Sequence, residues 1–200
     1  MKKNRILVTF FVIAAAVFIT NQFIMAPTPK QPYQELKTVG AIELRFYPKA
    51  LMASVTSQES TYAGSSNRNF GKLASYIFGS NDSKTKIAMT APVHMNFQEG
   101  KTEMSFVMPP GFELKNLPNP LNKEVRLHEA EAEYVAALRF GGYASDDKIN
   151  EKKIELQEAL KKLGIVHTNN IRFFGYNAPW DFLLRRNEVI VSISKEDALR

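Results

Sequence analysis

One order of strand-like and helix-like periodicities occurs twice along this 200-residue chain, and that recurrence constrains the fold more than any single motif. In the first pass, 41–47 (AIELRFY) and 50–57 (ALMASVTS) read as two strands joined at Pro48. Phe70, Leu73 and Ile77 then share one helical face, and Gly79 suits the left-handed position that ends a helix. Segments 86–97 (KIAMTAPVHMNF) and 102–109 (TEMSFVMP) give two more strands across a hairpin turn at 98–101. After a proline-rich link (111–120) the order recurs, with strands over 125–131 and 133–140. Ser145 caps a helix whose first turn holds Asp146 and Asp147, where carboxylates complement the dipole. Ile149, Leu156, Leu160 and Leu163 line its apolar face, and Gly164 closes it. Strands over 171–177 and 187–194 complete the second pass.

Local sequence repeats as well: Thr90-Ala91-Pro92-Val93 is matched by Asn177-Ala178-Pro179-Trp180, and 103–107 by 188–192. The expected fold is therefore α+β: a duplicated ββαββ unit forming a distorted antiparallel β-barrel flanked by two helices. Folds of this kind leave clefts between sheet and helix that take apolar ligands.

The N-terminus reads differently. A basic start, residues 1–5, precedes an apolar run over 6–26, diluted only by Thr9, Thr20, Asn21 and Gln22. A cleaved signal peptide and an uncleaved anchor compete for this pattern. Twenty-one residues suffice for a membrane crossing, which takes about 20. Pro27 disfavours cleavage after Ala26, so the signal anchor is the preferred reading. Residues 27–32 then form a linker, and 33–200 the globular domain. The basic start places that domain on the extracytoplasmic, periplasmic side of the cytoplasmic membrane, as a single-pass protein.

The chain has no cysteine, which excludes disulfides, thiolate metal sites and covalent haem attachment. Its net charge of +6 owes much to residues 1–30, which hold four basic and no acidic residues; 31–200 hold 22 basic and 20 acidic, a net of +2. That is too little for a nucleic-acid footprint.

Several segments together resemble one family. Lys86-Ile87-Ala88-Met89-Thr90-Ala91-Pro92-Val93, Phe-Gly-Gly-Tyr-Ala at 140–144, Gly-Tyr-Asn-Ala-Pro-Trp at 175–180 and Arg185-Arg186-Asn187-Glu188-Val189 are similar, in order and spacing, to the SOUL haem-binding proteins. The resemblance runs from about Tyr33 to Lys195, and with the N-terminal segment the chain reads as a bacterial, membrane-anchored member. It implies the duplicated barrel with two flanking helices. It also implies non-covalent binding of haem or another apolar tetrapyrrole, and the first reading is accordingly a binding module and not an enzyme. One member of the family is associated with an axial histidine in the first strand. Phe46 takes that place here, so ligation from that position is lost. The resemblance further implies a groove beside the first helix.

For that groove the candidate residues are Phe70, Leu73, Tyr76 and Ile77, with Arg68 and Lys72 as carboxylate partners and Met89 as a soft contact. Phe70, Leu73 and Ile77 fit an ordinary core face equally well. Arg45, Arg185 and Arg186 are further possible partners for propionates, and Met52, Met95, Met104 and Met108 further strand methionines. Alternation puts His94 on the face away from the core, so it is disfavoured as a haem ligand, as are His128 and His167. No His/Asp/Glu set has metal-site spacing. Two alternatives remain on the same barrel: a small-molecule hydrolase using Glu103 or Glu188 with Tyr143 or Tyr176, and an interaction domain without a ligand.

Overall fold

The computed structural model describes residues 28–177 and 185–200. The apolar run over 6–26 and residues Ala178, Pro179 and Trp180 lie outside the described residues. Among those described, no helix is long and apolar enough to cross a membrane.

Among the described residues, nine strands form one antiparallel sheet: β1 (Gln34–Val39), β2 (Ile42–Tyr47), β3 (Ala50–Ser57), β4 (Val93–Gln98), β5 (Lys101–Val107), β6 (Arg126–Ala130), β7 (Glu133–Phe140), β8 (Arg172–Gly175) and β9 (Asn187–Ile193). Their spatial order is β1-β2-β7-β9-β8-β4-β5-β3-β6. Leaving β1 aside, the order of the other eight strands is unchanged when β2, β3, β4 and β5 are exchanged for β6, β7, β8 and β9 and the sheet is read from its other end. The expected barrel is a curled half-barrel instead. Its edges, β1 and β6, do not pair with each other among the described residues, so the ring stays open.

Helix α1 (Tyr62–Ile77) packs on β3 and β5, and α2 (Asp146–Leu163) on β7 and β9. Both lie on one face of the sheet. Their caps follow from sequence: the Thr61 hydroxyl accepts from the Gly64 amide, and Ser145 from that of Lys148. Gly164, at φ +66°, closes α2 in the left-handed conformation. A short helix, α3 (Lys195–Leu199), ends the chain.

Two apolar clusters straddle the sheet. The larger lies under the helices and includes Leu44, Val55, Leu73, Phe106, Leu138, Leu156 and Val189. The smaller, on the opposite face, holds Tyr47, Val135, Ala137, Phe174 and Ile190. Strand alternation divides the residues: Leu44 faces the helices while Arg45 and Tyr47 face away.

The expected strand over 86–97 begins only at Val93. Pro92 has no amide for a ladder. Ala91 instead pairs with the N-terminal segment, its amide donating to Pro29 O and its carbonyl accepting from Gln31 N. Strand β1 was not expected. Its sequence, QELKTV, lacks an apolar alternation because it is an exposed edge, recruited through the turn at Gly40 (φ +61°).

Candidate functional site

A cleft of about 220 Å³ opens on the helix side of the sheet, between α1 and the ends of β8 and β9. Tyr62, Ser66 and Phe70 form its wall, one stripe of α1 spaced by four residues. Met95 and Met104, directly paired across β4 and β5, lie on its floor with Phe173. Tyr143 and Arg185 form the far rim. Phe70 meets Phe106 edge-on at 5.2 Å, and Tyr62 meets Phe173 at 5.6 Å. These contacts fix the aromatic wall in place.

The second helix positions the first. The Asp146 carboxylate accepts from the Tyr62 amide at 2.6 Å and the Ala63 amide at 3.1 Å. An anion at the open amides of a helix N-terminus is stabilised there. Asp146 thus sits in the first turn of its own helix, as expected, and also serves the neighbouring one. Burial pushes the Tyr62 phenol above its ordinary pKa, so it stays neutral.

Of the expected groove set, the structure brings Phe70 to this cleft. Leu73 (0 % exposed), Tyr76 and Ile77 belong to the core, because the stripe through Ser65, Asn69, Leu73 and Ile77 faces the sheet squarely. The Tyr76 hydroxyl donates to Pro118 O, and burial pushes its pKa up to about 12. Arg68 pairs with Glu59 and Lys72 with Glu124, both away from the cleft. Met89 is half-buried against the helix-side core and does not line the cleft. Tyr62, Tyr143 and Phe173 were not among the expected groove residues. The i, i+4 stripe through Tyr62 and Phe70 was the available signal.

No histidine reaches the cleft. His94 is on the opposite face, as expected, but it is buried (8 % exposed) rather than outward in solvent. Its ring stacks on Phe174 at 3.7 Å, and its Nε2 lies 2.8 Å from Gln31 Oε1. Burial, then the charge of Arg172, holds its pKa well below the ordinary histidine value. His128 Nε2 lies 2.9 Å from Ser54 Oγ on that same face, and His167 sits in an exposed loop. Among the described residues no three His, Asp or Glu side chains gather as a metal site. Those lining the cleft include neither carboxylate nor imidazole. The lining thus offers aromatic rings and thioethers, the neutral polar side chains of Ser66, Asn67, Asn177 and Asn187, and Arg185 at the rim, with no imidazole to ligate a metal.

Opposite the cleft, Arg45 donates to both oxygens of Glu188, at 2.7 and 2.9 Å. Arg186 adds bonds at 2.6 and 2.9 Å, and the Tyr176 hydroxyl donates to Glu188 at 2.9 Å. Burial alone would push the Glu188 carboxyl up. The bonds and charge of Arg45, then Arg186, outweigh it and hold the group below its ordinary range. Burial, and then the Glu188 charge, pushes the Tyr176 phenol up.

The sequence model described as "SOUL heme-binding protein" matches residues 28–192. "Heme-binding protein 2" of Homo sapiens is 30% identical over 183 residues, covering 88% of this chain and 89% of its own. "Heme-binding protein 1" of Mus musculus is 25% identical over 170 residues, covering 79% and 89%. Among solved structures, the EcmrR C-terminal domain aligns with a TM-score of 0.57 at 15% identity, covering 82% of this chain and 98% of its own. A hydrolase from Listeria innocua aligns with a TM-score of 0.55 at 11% identity, covering 88% and 97%. At such identities these structures are like this chain in fold alone.

Proposed function

The chain belongs to the SOUL heme-binding protein family, and from that premise we propose that it binds haem or a related tetrapyrrole non-covalently in the cleft beside α1. The observation that carries this reading is the composition of that cleft. Its walls and floor include Tyr62, Phe70, Met95, Met104 and Phe173, and its polar lining is Arg185 with the uncharged Ser66, Asn67, Asn177 and Asn187. Aromatic rings and thioethers suit the face of a macrocycle, and a guanidinium suits a propionate. When bound, the tetrapyrrole would supply the flat apolar face and, as haem, an iron that no histidine of this chain reaches. The cleft contributes orientation and exclusion of water.

The hydrolase alternative loses support at its proposed base. Glu188 meets Tyr176 as that reading requires, but two guanidiniums hold the carboxylate, and it is fully buried. Such a group is a poor proton acceptor. Glu103 is paired with Arg126, and Tyr143 is stacked against Arg185. The reading is therefore a binding protein and not an enzyme. The aligned hydrolase shares the fold alone.

We further propose that residues 6–26 tether the domain to the cytoplasmic membrane, residues 1–5 remaining inside and the domain lying on the periplasmic side. What supports this is the length and apolar composition of that segment and its basic start. The matched relatives named above are animal proteins, and the bacterial part of this reading is a proposal that they do not support. The duplication of a ββαββ unit is likewise a reading, supported by the strand order that survives exchange of the halves.

The experiment is a haemin titration of the full chain in detergent, with protein-free micelles as blank. A saturable Soret shift that persists in His94→Ala supports binding in the cleft. A spectrum identical to the blank at micromolar protein overturns it. Carbonate extraction of native membranes tests the tether: release of the protein into the supernatant would refute it.

A further inference from the structure

Tyr143 stands between two depressions. One is the cleft beside α1, about 220 Å³. The other, about 660 Å³, is an open hollow bounded by Thr38, Gly40, Glu43, Arg139 and Gly142, where the β1–β2 turn meets the end of β7. Among the described residues, Tyr143 and Arg185 alone line both. The first cleft by itself is smaller than sites for drug-sized ligands, which span roughly 300–1,000 Å³, whereas the two together fall inside that range. A tetrapyrrole therefore needs the partition to move.

The partition is built to move. Tyr143 is 60 % exposed as a residue, so displacing its side chain forfeits little buried area. It follows Gly141 and Gly142, and Gly142 holds φ +81°, which side-chain-bearing residues rarely adopt. The backbone below the tyrosine is pinned: Asn187 donates to Gly142 O at 2.8 Å. The ring itself rests on the Arg185 guanidinium, 4.6 Å from its centroid. A cation–π contact at so exposed a site is weak and reversible.

We propose that Tyr143 gates the ligand cleft. Displacement of its ring from Arg185 joins the two hollows into one space that admits an incoming flat, apolar macrocycle. This rests on the reading that the cleft takes a tetrapyrrole. It also gives the Phe-Gly-Gly-Tyr-Ala motif a role: a fixed glycine pedestal carrying one mobile aromatic.

Stopped-flow mixing of haemin with the full chain in detergent, followed at the Soret band, tests the gate. Tyr143→Ala should raise the association and dissociation rates several-fold. Tyr143→Phe should stay close to wild type, because its ring still rests on Arg185, and Tyr143→Trp should slow association. A residue that merely contacts the ligand would change dissociation alone. An association rate in Tyr143→Ala equal to wild type, or alanine and tryptophan shifting the rate the same way, overturns the gate and leaves the binding site standing. No haemin binding by the wild type overturns both.

Discussion

Arg45 and Glu188 are joined by two parallel hydrogen bonds, at 2.7 and 2.9 Å, and neither side chain is exposed to solvent. They come from β2 and β9, separated by 143 residues and by the intervening β7. Tyr33 stacks on the Arg45 guanidinium at 4.4 Å and accepts a bond from Arg186. The N-terminal stretch before β1 is thereby locked to the sheet face that the helices leave open. A pair so deeply buried registers the strands; it does not offer a reactive carboxylate.

Removing one partner strands a buried charge, which typically costs about 3–5 kcal/mol. Glu188→Gln should lower the denaturant midpoint accordingly. Haemin affinity of the folded protein should stay unchanged, since the network lies across the sheet from the cleft. Urea unfolding followed by circular dichroism checks the first statement, and titration below the transition checks the second.

His94 links stability to pH. Burial disfavours its charged form, so its folded pKa lies below the unfolded value near 6.5. The unfolded chain then binds more protons than the folded one as pH falls below that value. Stability should be full above about pH 6.5 and decline as the solution is acidified through the range below it. Unfolding free energies measured between neutral pH and pH 5 should show this slope in the wild type and a shallower one in His94→Gln.

Asp146 caps a helix that is not its own. Asp146→Ala leaves the Tyr62 and Ala63 amides without that acceptor, and loss of a cap costs about 1 kcal/mol. Because Tyr62 is a wall of the cleft, haemin binding should weaken as well. Ser145→Ala, which uncaps α2, should cost similar stability with less effect on binding. Paired thermal melts and titrations separate the two.

Core and cleft residues of α1 should also separate. Leu73→Ala should cost about 2–5 kcal/mol, the usual penalty for a large-to-small change at a fully buried site. Its folded fraction should still bind haemin. Phe70→Ala should weaken binding more than it lowers the melting temperature.

Local chemistry was readable from the sequence and long-range assembly was not. The hairpin at 98–101 determines that Met95 faces Met104, and Thr61, Ser145 and Gly164 mark helix ends through capping alone. Phe70, Leu73 and Ile77 were correctly placed on one face. The choice between core and groove depended on how α1 sits on the sheet, which no periodicity encodes. Tyr143 and Arg185 reach the cleft from loops distant in sequence. His94 was assigned to the correct face, but its cover, Gln31, comes from 63 residues away. Strand β1 carries no apolar alternation because this edge half-buries only Leu36 and Val39.

Haemin titration of the full-length wild type beside Ser66→Trp tests the central claim most directly. Ser66 is a half-buried helix position on the cleft wall, where a tryptophan fills the space without disturbing the core. The account predicts a saturable Soret shift in the wild type. In the variant the affinity should fall about tenfold or more, equivalent to about 1.4 kcal/mol, at an unchanged melting temperature. Equal affinity in the two proteins would contradict a site beside α1.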